Sequence, residues 1–411
     1  MRSSTKLIFL ASTIALILVT ESRRTIPSKE QIYELEKLLN HVNKPAVKSF
    51  HTKHGYILDC IDIQKQLAFD HPLLKNHSIQ LKPTSIPRWT RDNNTSQKSS
   101  SLPFRQEDDR RCPLGTVIIK RTTLEDLREI HLLKPLGFKY PKDKNLLDMT
   151  GRHFAIAEYY KENHGAMGNI NIWDPPVKPD QFSLASISIE NGLRDSLQSI
   201  SAGWMVSPKL NQNHSGLFAY WTADGDNKTG CYNTVCPGFV QVSSKFALGT
   251  LAKPVSTYDG EQYILQVIIF QDHITGNWWF LLKGNPIGYW PRSLFNGEGI
   301  ANGASRVFWG GEVFSAVRQR ISPIMGSGHF PQEGYRKAAF VNGLKVIDHV
   351  SEKNTSPPAT NRAIFANSPR ASDLILFANS PTCYKVETKS GVGEYWSTAI
   401  YFGGPGGCTV S

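Results

Sequence analysis

Ser199-Ile200-Ser201-Ala202-Gly203-Trp204-Met205-Val206 alternates with the period of a β-strand. Ile200, Ala202, Trp204 and Val206 fall on one side, and Ser201 and Gly203 fall on the other. The apolar side needs a core; the small polar side faces something else. Val307-Phe308-Trp309-Gly310-Gly311-Glu312-Val313 follows the same grammar, with Glu312 sharing a side with Gly310. A glycine inside a strand marks the close approach of another chain or a ligand, and a carboxylate beside such a gap can meet a substrate backbone. The plain alternative for Glu312 is an exposed residue at a strand end.

Outward from these two segments, short apolar or alternating runs recur from about residue 150 onward. They occupy 154–160, 182–189, 217–221, 239–242, 263–270, 278–282, 338–341 and 398–402, and are separated by Gly, Pro, Asn and Asp. Asp272-His273-Ile274-Thr275-Gly276 carries hairpin chemistry between two of them. No amphipathic helical pattern of ten residues interrupts the series. The expectation is an all-β domain, an antiparallel two-sheet β-sandwich, over residues 146–411. Phe-Ala-Asn-Ser-Pro occurs twice, at 365–369 and 377–381, and reads as a duplication within a loop.

Ahead of this domain the sequence reads differently. Residues 1–22 have the grammar of a signal peptide: Arg2 and Lys6, then thirteen apolar-type positions over 7–19, too few to span a bilayer comfortably. Residues 28–43 predict a helix with a Ser28/Gln31 capping box and one apolar face. A short strand over 117–119 and a helix opening at Thr122 follow, and breaker-rich linkers occupy 83–110 and 139–145. Residues 23–145 therefore predict a smaller α+β unit.

The formal charge of the 411-residue chain is +11, but it is unevenly spread. Residues 23–145 carry a net +9 and residues 146–411 a net +1, with eight of nine Trp in the latter. The basic residues are scattered among Pro, Ser and Asn rather than gathered on a face, which argues against nucleic acid as a partner. No later apolar run is long enough for a membrane span, so no membrane partner is expected once the signal is removed. A monomer is expected.

A secreted chain makes its cysteines and sequons legible. The sequons stand at Asn76, Asn93, Asn94, Asn213, Asn227 and Asn354, candidate glycan sites. An even number of cysteines favours disulfides, although six allow fifteen connectivities. Cys231 and Cys236 suit a local staple and Cys383 with Cys408 a bridge across the C-terminal hairpin region, leaving Cys60 and Cys112. Neither a CxxC pair nor an HExxH helix accompanies them, and no Gly-rich phosphate cradle is present, so no cofactor or metal is expected. Gly326-Ser327-Gly328-His329 reads as a Gly-rich turn rather than a nucleophile beside its base.

Several segments in order carry a resemblance. Cys60-Ile61-Asp62 through Phe69-Asp70-His71-Pro72-Leu73-Leu74-Lys75-Asn76-His77, then Cys112-Pro113-Leu114-Gly115-Thr116, are similar to the activation peptide of the neprosin family of secreted plant proteins. Ala202-Gly203-Trp204, Tyr220-Trp221-Thr222, Thr229-Gly230-Cys231-Tyr232-Asn233, Gly288-Tyr289-Trp290-Pro291, Trp309-Gly310-Gly311-Glu312-Val313, Met325-Gly326-Ser327-Gly328-His329-Phe330-Pro331 and Tyr401-Phe402-Gly403-Gly404-Pro405 resemble its catalytic domain.

The resemblance implies a glutamic peptidase, a prolyl endopeptidase that cuts after proline in acid and is made as a zymogen with its own pro-segment as inhibitor. It implies an address on the secretory route, in the apoplast or vacuole. It also implies two catalytic glutamates, one exchanging protons with a water and the other polarising the peptide carbonyl. Glu312 matches one; the other is replaced by Ser201, whose hydroxyl does not titrate in this range. Glu190, in Ile189-Glu190-Asn191-Gly192 at an expected turn, is an alternative carboxylate. Three functions follow: a peptidase on proline-containing peptides, a non-catalytic binder of proline-rich proteins, and a cell-wall carbohydrate binder whose exposed Trp stack on sugars.

Overall fold

The alternation is realised as two stacked antiparallel sheets in a computed structural model, which describes residues 29–89, 111–127, 151–192, 196–211, 213–316, 319–349, 364–389 and 398–409. The signal, most of the expected linkers and the sequons at Asn93, Asn94 and Asn354 lie outside these residues.

The N-terminal unit opens with helix α1 (Lys29–Val42). Strands β1 (Ala46–His51), β2 (Ile57–Asp62) and β4 (Thr116–Lys120) then form a small antiparallel sheet in the order β1-β2-β4. Between β2 and β4 the chain runs through three 3-10 turns to β3 (Arg88–Trp89), a strand inside the stretch expected to be linker.

Seven strands build the first sheet of the sandwich. They are β5 (Arg152–Tyr159), β7 (Gln181–Asn191), β8 (Gln198–Val206), β9 (Ser215–Thr222), β10 (Cys231–Tyr232), β15 (Arg306–Ser315) and β18 (Ile375–Ala378). Their order is β10-β9-β8-β7-β15-β5-β18, all antiparallel, so both segments read first from the sequence lie near the middle.

The second sheet contains β6 (Gly165–Asn171), β11 (Val240–Gln241), β12 (Ile264–Gln271), β13 (Trp278–Leu282), β14 (Asn285–Trp290), β16 (Ala339–His349) and β17 (Ile364–Asn367). Its path is β11-β14-β13-β12-β6-β16-β17-β3, with β20 (Ala399–Gly403) on β16 and β19 (Lys385–Lys389) on β20. Only β3 runs parallel to its neighbour.

Ile200, Ala202, Trp204 and Val206 point between the sheets, as their alternation requires, and meet Val307, Trp309, Trp278 and Trp290 in one core. Trp204 and Trp309 reach across to donate to the backbone carbonyls of Asn171 and Met167, at 2.9 and 3.1 Å. These bonds satisfy the indole N–H groups that burial would otherwise strand.

Two local expectations change. Glu190 is not in a turn; it lies near the end of β7 and is buried. The duplicated pentapeptide is not loop: its first copy begins in β17 and its second in β18, at places in different sheets.

Candidate active site

Register places the polar side of β8 and the Glu312 side of β15 on the same face of the seven-stranded sheet, away from the core. Glu312 is level with Phe154 on β5 and Leu184 on β7, and Leu184 is level with Met205 on β8. One rung further come Gly310, Ser186 and Gly203, and the next rung holds Phe308, Ser188, Ser201 and Tyr220. The central rung therefore contributes two hydrogens and one hydroxymethyl group as side chains, giving a low floor between walls of larger residues. Gly310 is required there. Its φ is +140°, and a Cβ would lie 2.4 Å from the Ala155 carbonyl oxygen.

Glu312 is 2% exposed. Its Oε1 accepts a hydrogen bond from Nη1 of Arg152, which is 5% exposed and lies 5.8 and 6.0 Å from the rings of Phe182 and Phe314. Burial raises the Glu312 carboxyl to about 7; Arg152 opposes that rise, while the charges of Glu190 and Asp226 reinforce it. Glu312 Oε2 and Arg152 Nη2 are buried and have no hydrogen-bond partner. The site thus presents an acid and a donor, each with one unused valence.

Ser201 is not brought to Glu312. It lies two strands across and four residues along from the Glu312 rung. At about 3.4 Å per residue and 4.8 Å per strand, that places the Cα atoms roughly 17 Å apart on an unbent sheet. The Ser201 hydroxyl is instead spent on Ser188 Oγ at 2.6 Å. Glu190 is also engaged. It accepts from Arg306 Nη1 at 2.8 Å and Ser199 Oγ at 3.2 Å, while Arg306 Nη2 binds Glu158 at 2.5 Å. That triad closes one end of the face.

Sequence reasoning missed Arg152, Tyr220, Tyr232 and Asp226. Tyr220 is the register partner of Ser201, and its ring lies 4.7 Å from that of Tyr232. The Tyr220 hydroxyl donates to Oδ1 of Asp226, which sits in the loop after β9. Arg152 is 160 residues from Glu312, so nothing local announces the pair. Asp226 hides in Ala223-Asp224-Gly225-Asp226-Asn227, which reads as a solvated turn.

All three disulfides pair as expected: Cys60–Cys112, Cys231–Cys236 and Cys383–Cys408. Cys231–Cys236 fixes the start of β10 and hence the neighbourhood of Tyr232. Asn76, Asn213 and Asn227 are exposed. His329 Nδ1 bonds Glu333 at 2.8 Å and its backbone N–H donates to Ser327 Oγ, in keeping with a structured turn. Among the described residues no group of three or more His, Cys, Asp or Glu is placed to hold a metal ion. No helix among them is long and apolar enough to cross a membrane.

The chain matches Neprosin over residues 179–405 and the Neprosin activation peptide over residues 49–158. It belongs to the neprosin family. Its structure is similar to the crystal structure of Scytalido-glutamic peptidase with a peptide-based transition-state analog, at 6% identity and a TM-score of 0.28, covering 62% of this chain and 98% of that one. It is also similar to CG-16, a homodimeric agglutinin from chicken liver, at 7% identity and a TM-score of 0.21, covering 39% of this chain and 92% of that one.

Residues 49–89 and 111–127 of the activation-peptide match dock chiefly on the ten-stranded sheet, whereas its last residues, 152–158, belong to β5 of the seven-stranded sheet. Gln66 exchanges two hydrogen bonds with the Gln241 backbone, both 2.9 Å, and Gln241 Nε2 donates to the Ile118 carbonyl. Ala68, Phe69 and Ile79 pack on Ile268, Phe270, Trp279 and Tyr289 of the outer face. These contacts of the pro-segment, expected as inhibitor, therefore lie on the sheet opposite the Glu312 face. Toward the Glu312 face, Lys120 Nζ donates to the Leu210 carbonyl at 2.9 Å. The apolar residues of the activation peptide explain the arrangement: they bury a face of the ten-stranded sheet that would otherwise present aromatics to water.

Proposed function

We propose that this neprosin-family chain is a secreted peptidase of the glutamic type, made with its activation peptide as inhibitor. In this reading, Glu312 takes and returns the protons of a hydrolysed peptide bond. The observation that carries it is a fully buried carboxyl with an unused oxygen, on a sheet face whose central rung is Gly310, Ser186 and Gly203. A main chain laid on that floor comes close to the sheet because almost no side chains intervene. Arg152 Nη2, an unused buried donor, suits the carbonyl oxygen as it gains charge. Cleavage on the C-terminal side of proline follows from the family resemblance, as do glycans at the exposed Asn76, Asn213 and Asn227 and export through the oxidising route that three disulfides favour.

The carbohydrate reading has less support, because the seven described tryptophans of the sandwich are buried. The binder reading rests on Ser201, whose hydroxyl is bound to Ser188. The deciding test expresses the whole chain, acidifies it, and follows cleavage of proline-containing peptides by mass spectrometry for the natural sequence and Glu312→Gln. Glu312-dependent cleavage supports the peptidase. Peptide binding without cleavage by either protein turns the assignment to a binder.

A further inference from the structure

Building on Glu312 as a working carboxyl, we infer that Asp226 supplies the second carboxyl of the site, standing in for the glutamate that Ser201 replaces. Position and construction argue for it. Tyr220 is level with Ser201 on the next strand, and its hydroxyl holds Asp226 Oδ1. Asp226 is thereby anchored beside the rung where the missing carboxyl belongs. Its Oδ2 is buried and has no hydrogen-bond partner.

Glu190, the other acid near the rung, has both oxygens committed to Arg306 and Ser199. Among the described acids of this face, only Glu312 and Asp226 therefore keep a buried oxygen without a hydrogen-bond partner, and the charge of Asp226 acts on Glu312.

The loop is shaped around the Asp226 carboxyl. Asp226 sits at φ +69°, a left-handed conformation an aspartate tolerates but does not prefer. Its N–H is held there by Thr222 Oγ1 at 3.0 Å. Gly230, at φ +125°, lines the carboxyl; a Cβ there would lie 2.6 Å from Asp226 Oδ1 and 3.3 Å from the Tyr220 hydroxyl. Thr229, one residue earlier, is fixed to Asp224 through its N–H at 3.1 Å, which keeps the loop closed on itself.

Arg152, Glu190 and Tyr232 act on both carboxyls, and Tyr220, Thr222 and Asp224 act on Asp226. Burial raises Asp226 to about 6, against the bonds from Tyr220 and Thr222 and the charge of Arg152. Burial raises Glu312 as well, so one carboxyl can keep its proton while the other is ionised.

In that state, the ionised carboxylate takes a proton from water as the water oxygen bonds to the peptide carbonyl carbon. The protonated carboxyl gives its proton to the carbonyl oxygen, beside Arg152. On collapse the diol returns that proton, the first carboxyl protonates the nitrogen, and the C–N bond breaks. The products are a carboxylic acid and an amine, and one proton remains on the pair.

The test uses the full chain. Asp226→Asn, folded by the criterion of an unchanged thermal midpoint, is expected to lose about a hundredfold or more in kcat/KM and to lose the acid limb of the pH–rate profile. Adding Ser201→Glu to Asp226→Asn is expected to restore cleavage, which repair of a merely structural defect would not do. Glu312-dependent cleavage that survives Asp226→Asn with an unchanged pH profile overturns the inference, as does loss without rescue. A carboxyl 13C titration of Glu312 reads the pairing without turnover: its midpoint is expected to fall by about one pH unit in Asp226→Asn. If the natural chain cleaves nothing, the peptidase reading fails by itself. An unmoved Glu312 midpoint then overturns the pairing, and a lowered one upholds it.

Discussion

Asp272 and Glu312 are both nearly inaccessible carboxyls on the outer sides of the β-sandwich, yet their surroundings are opposite. Asp272, beneath the activation peptide, accepts from the N–H groups of Thr84, Ile274 and Thr275 and from the side chains of Thr84 and Gln80. Burial pushes its pKa up, but those donors outweigh burial and hold it below the usual value. Glu312, on the other outer face, has one cation on one oxygen and nothing on the other, and burial prevails. A carboxylate with its valences filled is a clamp. One left short is available for chemistry.

The largest expected effect would break this comparison on the catalytic side. Glu312→Gln is expected to reduce kcat by at least about a hundredfold, measured on proline-containing peptides, without lowering the thermal midpoint. The same variant gives a pH signature. A carboxyl raised from 4.5 to about 7 favours the folded state when neutral, so its contribution is whole below 4.5 and is lost as pH rises through about 7. The stability difference between natural chain and variant should therefore shift in favour of the variant across that window, read by thermal melts.

Next comes the clamp side. Gln66→Ala removes both partners of the Gln241 backbone and is expected to cost docking about 2–3 kcal/mol. Hydrogen exchange at residues 240–244 of the full chain should rise accordingly, and unchanged protection would show that the two hydrogen bonds do not hold the activation peptide. Smaller still, Ser201→Ala leaves the buried Ser188 hydroxyl without its partner and is expected to cost about 1 kcal/mol in a urea melt.

The finest distinction concerns acid release. Tyr289 Oη accepts the Gln80 N–H at 3.0 Å and shares a hydrogen bond with His77 Nε2 at 2.8 Å. Burial lowers the pKa of His77 below 6.5, which favours its neutral ring beside that hydroxyl. His71, which accepts the Leu73 N–H through Nδ1 beside Trp221, is lowered by burial too. A histidine lowered on docking contributes above its undocked value and loses that contribution as pH falls below it. Docking should weaken with acidification, and His77→Gln should flatten part of that dependence in limited proteolysis across pH 7 to about 4.

How much of this was legible depended on the range of each signal. Ile200, Ala202, Trp204 and Val206 announced a strand because alternation is local, and Glu312 stood out beside two glycines. Strand β6, Gly165-Ala166-Met167-Gly168-Asn169-Ile170-Asn171, announced nothing, although it pairs with both β12 and β16. Its glycines and asparagines suit a turn, and pairing on both edges overrides that preference. Arg152 and Asp226 could not be read because register and loop closure, rather than spacing, bring them to the Glu312 face.

The repeated pentapeptide has a consequence for how the chain assembles. Phe-Ala-Asn-Ser-Pro is threaded twice, and the copies make unlike bonds: Asn379 clamps the Phe154 N–H and the Arg152 carbonyl and Ser380 meets His153, while Ser368 meets Lys345. A folding chain therefore carries a decoy twelve residues from the true segment, and a slip of that length would offer β5 the same five side chains. The bridge from Cys383 to Cys408 leaves just beyond the second copy. Once closed, it ties that copy, and not the first, to the C-terminal end of the sandwich. Oxidation would thus proofread the threading that places Arg152 beside Glu312.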